Sequence, residues 1–153
     1  MPPMDLPLAL KVVHIIAAIV AVGANVTYAF WLRQAGTTDR DRLVFTIASI
    51  KKLDNTLATP AYIVVLLTGL GMVFLGVFSF TTGWIQAALA LYVLVVILSI
   101  AVYSPALRRQ LREAEADPGS AAYRAAASRS NLLGFVVTAI VLVIVVLMVT
   151  KPF

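Results

Sequence analysis

The chemistry-bearing residues of this chain are concentrated in its first apolar run, which holds the only lysine and the only histidine found in any such run. Successive intervals of three and four residues place a set of side chains on one face of a helix, as a stripe about 100° wide. Polar groups are costly in a bilayer, so we expect this stripe to face the other helices. Its members are Lys11, His14, Ala18, Ala21, Asn25 and Tyr28.

His14 is the only histidine of the chain. Imidazole is the commonest protein ligand for metal ions and a frequent ligand of haem iron, so His14 is a candidate metal or haem ligand. A proton relay is a second reading, and a neutral histidine that donates a hydrogen bond across the bundle is a third. Because one histidine cannot build a bis-histidine or three-histidine site, a cofactor would need an open position, another ligand type or a second subunit.

Three further residues of the stripe complete the candidate site. Lys11 lies one turn from His14 and would either extend to the outer headgroups or hold a carboxylate such as a haem propionate. Asn25 and Tyr28 are suited to hydrogen bonds between helices. We therefore name His14, Lys11, Asn25 and Tyr28 as candidate cofactor-binding residues, His14 as the candidate metal ligand, and haem b as the cofactor that suits them best.

Several kinds of site are missing from the sequence. There is no cysteine, no HExxH sequence, no nucleophile–base pair and no glycine-rich phosphate loop, so no catalytic residue is predicted and enzymatic activity stays open. No close methionine spacing indicates a copper(I) site. The four methionines are Met1, Met4, Met72 and Met148.

Four apolar runs must position these residues, at 6–32, 56–80, 84–103 and 132–150. Crossing a ~30 Å hydrocarbon core takes roughly 20 helical residues, and in lipid every backbone polar group must be bonded internally. Only 12% of the residues are charged, against about 25% in soluble domains. We predict an all-α fold: one domain, residues 1–153, forming an antiparallel four-helix bundle in a membrane.

The cations predict the topology of this bundle. The connections 33–55 and 104–131 hold ten of the twelve Lys and Arg residues, and the connection 81–83 holds none. Cytoplasmic loops are the ones enriched in Lys and Arg, so both charged connections are predicted to be cytoplasmic and both termini periplasmic. The net charge of +5 suits a bilayer with anionic headgroups, and no nucleic-acid partner is predicted.

Expectations also follow for the ends of the runs. Asp54 and Asn55 are predicted to cap the second spanning helix, with Pro60 in its first turn. Trp84 is predicted to anchor the third span at the outer interface. No Asp or Glu lies inside the four runs, which argues against proton-coupled exporters that use a buried carboxylate.

The order of several short motifs resembles a bacterial family of predicted integral membrane proteins, domain of unknown function 2269, within the CopD-like and HemJ-like superfamily of four-helix membrane units. These motifs span nearly the whole chain: His14 before Gly23, Asp54 before Pro60–Ala61, Thr68–Gly69–Leu70, Trp84, Pro105 with Arg108–Arg109, and Met148 to Pro152.

The resemblance implies two activities that differ in chemistry. CopD-type proteins imply copper transfer, and HemJ-type oxidases imply haem b held near a first-helix histidine, whose position His14 matches. This chain has no second histidine and no methionine pair, which argues against copper transport more than against haem binding. It also has no lysine inside its later spans, so the oxidase activity is not carried over.

Three functions follow as hypotheses for a bacterial inner-membrane, multi-pass protein. The first is a cofactor-binding protein, with haem at His14 in a redox or scaffold role. The second is a non-enzymatic structural protein that assembles with itself, as a homo-oligomer, or with a membrane partner protein. The third is a small-molecule or copper permease.

Overall fold

The protein is described here by a computed structural model covering residues 5–152, in which all regular secondary structure is helical. Two π-helical segments, Asp54–Ala58 and Ser99–Tyr103, join consecutive α-helices without a break. The described residues thus form four long helices, each long and apolar enough to cross a membrane, as the sequence predicts. The α-helices are α1 (Leu6–Ala35), α2 (Arg40–Leu53), α3 (Thr59–Phe74), α4 (Gly83–Leu98), α5 (Ser104–Ala116) and α6 (Ala121–Thr150).

Side-chain and glycine caps set the ends of these helices. The Asp5 carboxylate accepts from the Leu8 amide, and the Ser120 hydroxyl accepts from the Tyr123 amide, which satisfies amides free at a helix start. Gly76 adopts φ +74° and ends α3 with a bond from its amide to Val73 and one from Val77 to Met72. This Schellman cap ends the helix at Phe74, so the last residues of the apolar run 56–80 form a turn.

A proline follows each π-helical segment and explains it. Pro60 and Pro105 are the second residues of α3 and α5, directly after the segments Asp54–Ala58 and Ser99–Tyr103. A proline inside a helix has no amide proton, and its ring clashes with the carbonyl four residues earlier. The wider π turn moves that carbonyl away, so each long helix continues past its proline.

The helices pack as two pairs that close tightly at one end only. α1 packs against α3, and α4 packs against α6, but no Cα pair of α3 and α4 lies within 8 Å although residues 75–82 join them. We call the end with this turn and Lys151 the terminus end. At the opposite, basic end, α2 and α5 pack together around a core of Tyr28, Ala35, Leu43, Ile47, Ile50, Leu107, Ala114 and Tyr123.

The predicted cap before the second span is wrong. Asp54 and Asn55 cap no helix start, since the helix runs without interruption from Arg40 to Phe74. Pro60 therefore lies well inside this helix rather than in its first turn. The cause is the π segment, which lets one helix contain both the polar residues and the proline. A carboxyl group thus lies within a long membrane helix, just before the run 56–80.

Candidate functional site

A cleft of about 530 Å³ separates the two helix pairs at the terminus end. Its walls are almost entirely apolar and come from α1, α3, α4 and α6. Ile15, Ile19 and Leu142 line the cleft and are also exposed on the outer surface, so the cleft is open along its side. The polar side chains on its walls are few: His14, Tyr62 and Tyr92. Apolar pockets with a few polar groups are typical of ligand sites in this size range.

His14 is held on the cleft wall in a defined protonation geometry. Its Nδ1 lies 2.9 Å from the Thr68 hydroxyl oxygen, and that hydroxyl lies 2.6 Å from the carbonyl oxygen of Val64. Thr68 has a single proton and donates it to the carbonyl, so it accepts from His14. This geometry favours the tautomer that carries its proton on Nδ1. Nε2 keeps a lone pair and has no hydrogen-bond partner among residues 5–152.

Gly69 lets the imidazole of His14 approach α3. A Cβ built on Gly69 would lie 3.2 Å from His14 Cε1 and 3.6 Å from Nδ1. The ring thus packs against bare backbone on one edge, as expected where small residues allow helices to approach closely. Any larger residue at position 69 would push the ring away from Thr68.

Tyr62 and Tyr92 form the floor of the cleft, and Asn25 supports this floor without lining the cleft itself. The Asn25 amide nitrogen donates to the Tyr62 hydroxyl at 2.6 Å, and the Tyr92 hydroxyl donates to the Tyr62 carbonyl oxygen at 2.9 Å. The second bond links α4 to α3, whose backbones stay apart. Tyr62 therefore ties both pairs together where the cleft ends.

Tyr28 lies on the far side of this floor, in the basic-end core. It is buried, and its hydroxyl donates to Asp54 over 3.5 Å. The predicted stripe faces the other helices, as expected: none of its members inward of Lys11 is exposed. Three of them form hydrogen bonds to the long helix Arg40–Phe74. The pairs are His14 with Thr68, Asn25 with Tyr62 and Tyr28 with Asp54.

Two cations and two aromatic rings lie at the terminus end. The Lys151 ammonium lies 5.0 Å from the Phe78 ring centroid and 5.8 Å from that of Trp84, and both rings line the cleft. Trp84 is buried, so it packs under this cation rather than anchoring the span from an exposed position. Lys11 is exposed and does not line the cleft.

The structure pairs residues that the sequence pattern did not bring together. Thr68 and Tyr62 become the partners of His14 and Asn25, and Met72 and Met148 both line the cleft; Met1 and Met4 lie outside the described residues. No group of three or more His, Asp or Glu residues within 5–152 could hold a metal ion. The spacing of single polar residues in α3 gave too weak a signal to predict these pairings.

These features define a helical integral membrane protein with a cleft between two helix pairs. The family model of the predicted integral membrane proteins, domain of unknown function 2269, matches residues 8–152, so the chain belongs to this family. No curated protein and no solved structure matches the chain.

Proposed function

We propose that the cleft binds haem b, with His14 as a ligand of the iron, in a bacterial inner-membrane protein. The main support for this proposal is the hydrogen bond between His14 Nδ1 and the Thr68 hydroxyl. With Nδ1 bonded in this way, Nε2 on the cleft wall is available as a ligand. Ligating histidines almost always donate their other ring proton to a fixed acceptor, which sets the tautomer and ring orientation. Thr68 supplies that acceptor here.

The remaining residues of the cleft fit a porphyrin. Its volume of about 530 Å³ and its apolar walls suit a large flat ligand. Lys151 at the mouth and Lys11 one turn outward from His14 are the cations that would pair with propionates. Met72 and Met148 also line the cleft and would offer thioether sulfurs to the iron. Asn25 and Tyr28 would not contact the haem. Asn25 holds Tyr62 of the cleft floor, and Tyr28 bonds to Asp54 on the same long helix as Tyr62.

When bound, haem would supply one-electron chemistry, with a potential set by the axial ligands and by burial. The chain's own contribution is to orient the imidazole, to exclude water with apolar walls and to hold the propionates at the mouth. A redox role or a structural haem that fastens the two helix pairs is compatible with this arrangement.

The optical spectrum of the purified protein tests the proposal. After expression with a haem supply, we expect a Soret band that His14→Ala abolishes and that Thr68→Val weakens or shifts, since the imidazole loses its orienting acceptor. Lys52→Gln is the matched control, because Lys52 lies at the basic end away from the cleft, and it should leave the band unchanged. The absence of a Soret band, or its survival in His14→Ala, would contradict haem ligation by His14.

Copper(I) handling is the second candidate, favoured because one imidazole and two thioethers, those of His14, Met72 and Met148, all line the cleft. Thioether and imidazole ligands suit copper(I). Copper that copurifies with the protein and is lost in Met72→Leu and Met148→Leu, without any Soret band, would support this candidate over haem.

A further inference from the structure

The second long helix carries an acidic side chain that the cleft does not use. Asp54 is partly buried in the π segment Asp54–Ala58, and its nearest polar partner is the Tyr28 hydroxyl, 3.5 Å away. Within residues 5–152, no Lys, Arg or His nitrogen lies within 4.0 Å of this carboxylate. A carboxylate in poorly hydrated surroundings is costly without a paired cation, so this position favours a group that binds and releases a proton.

Three tyrosine phenols lie on the elements around this carboxyl group. Tyr28 on α1 donates to it. Tyr62 on α3 accepts from Asn25, one turn before Tyr28 on α1, and Tyr103 packs against the core that contains Tyr28. On α2, Lys51 and Lys52 precede it in sequence but form no ion pair with it. Phenols donate to a carboxylate and accept from a carboxylic acid, so they accommodate both protonation states.

The two π segments contribute one polar residue each, although no Cα pair of the two segments lies within 8 Å. One contains Asp54 and the other contains Tyr103, whose ring packs against Gly134 of α6: a Cβ there would lie 3.3 Å from Tyr103 Cε2. Widened π turns occur frequently at functional sites. Here both of them place polar side chains between the basic-end core and the cleft floor.

Tyr62 connects Asp54 to the cleft. It lines the cleft, and its hydroxyl accepts from Asn25, which lies one helical turn before Tyr28 on α1. Tyr28, Asn25 and Tyr62 thus supply polar side chains along the helices between Asp54 and the cleft floor. The route is independent of what the cleft binds.

We propose that Asp54 is a proton-exchange site that connects the aqueous phase at the basic end with the floor of the cleft through Tyr28, Tyr62 and Tyr103. Uptake forms an O–H bond on the Asp54 carboxylate with a proton from water. Release breaks that bond and passes the proton to a phenol oxygen or an ordered water on the route, while the phenol gives its own proton onward. Each transfer moves one proton and involves no electrons.

Infrared titration of the full-length protein in liposomes tests this site. We expect a protonated-carboxyl C=O band whose intensity follows pH, which Asp54→Asn removes and Asp41→Asn retains, because Asp41 is exposed at the start of α2. Tyr28→Phe should shift the frequency of the band, since it deletes the nearest hydrogen bond; this variant also keeps the test valid if Asp54→Asn misfolds. A band that persists in Asp54→Asn, or that Tyr28→Phe leaves in place, overturns the assignment.

The tyrosine C–O band of the same spectra tests the connection to the cleft. Titration of Asp54 should shift this band, and Tyr62→Phe should reduce the shift. Tyr123→Phe is the control, because Tyr123 belongs to the basic-end core and should leave the shift intact. A pH titration without any tyrosine shift would contradict the route. Since haem-free protein is used, these results do not depend on haem binding.

Discussion

At the residue scale, the position of His14 depends on the absence of a side chain at Gly69. Gly69 has no Cβ, so the imidazole of His14 approaches the α3 backbone closely enough to reach Thr68. The two contacts act together: Gly69 provides the space, and Thr68 provides a partner for Nδ1. The sequence predicts that His14 faces the other helices, but it does not predict that a glycine and a threonine on another helix determine its tautomer.

Gly69→Ala should displace this ring. Its new methyl group would lie 3.2 Å from His14 Cε1, and overpacking of this kind costs about 1–3 kcal/mol. We expect the free energy of unfolding, measured with a denaturing detergent, to fall by that amount. Ligand binding in the cleft should also become weaker.

Gly23→Ala is the matched control. Gly23 also lines the cleft, but a Cβ there meets nothing within 4 Å, and alanine is favoured over glycine in helices by about 0.5–1 kcal/mol. This variant should be neutral or slightly stabilised. If Gly69→Ala and Gly23→Ala lowered the free energy of unfolding equally, the close contact between Gly69 and His14 would not be the cause of the destabilisation.

At the element scale, the π segments determine which residues meet. A π turn changes the phase of the helix that follows it, so Asp54 turns toward Tyr28 of α1 while Tyr62 still reaches Asn25. The apolar runs and their approximate lengths are readable from sequence, because hydropathy alone determines them. The π segments are not readable in this way, because a proline such as Pro60 is equally compatible with the first turn of a helix.

Pro60→Ala should return the π turn toward a regular α-helix. The new amide can donate a hydrogen bond worth about 1 kcal/mol, so amide hydrogen exchange across residues 54–62 should slow by roughly fivefold. Pro7→Ala is the control, because Pro7 lies in the first turn of α1, where amides have no helical partner, and exchange there should not change. Unchanged exchange in Pro60→Ala would mean that the proline does not cause the π turn.

At the scale of the whole molecule, charge and packing divide the bundle into two unlike ends. The basic end has a continuous core and the cationic connections, whereas the terminus end has the cleft between two helix pairs. We expect the basic end to face the cytoplasm, because positively charged loops remain on that side. The packing of the pairs could not be predicted, since four apolar helices of similar length allow many arrangements.

Single cysteines can test this orientation directly, because the chain has none of its own. We expect an impermeant maleimide to label Ser79→Cys in intact cells and to label Thr38→Cys only after lysis. Both positions are exposed and lie at opposite ends of the bundle, so each serves as the control for the other. The reverse labelling pattern would contradict the predicted sides of the membrane.

The open side of the cleft has a consequence for any measurement of affinity. In a bilayer, Ile15, Ile19 and Leu142 border hydrocarbon, so lipid acyl chains would fill the cleft whenever another ligand does not. A ligand dissolved in the bilayer would then compete with lipid acyl chains for the cleft. It would reach the cleft by diffusion within the membrane plane. Its apparent dissociation constant should therefore change with acyl-chain length and saturation, and detergent would act as a competitor rather than as an inert medium.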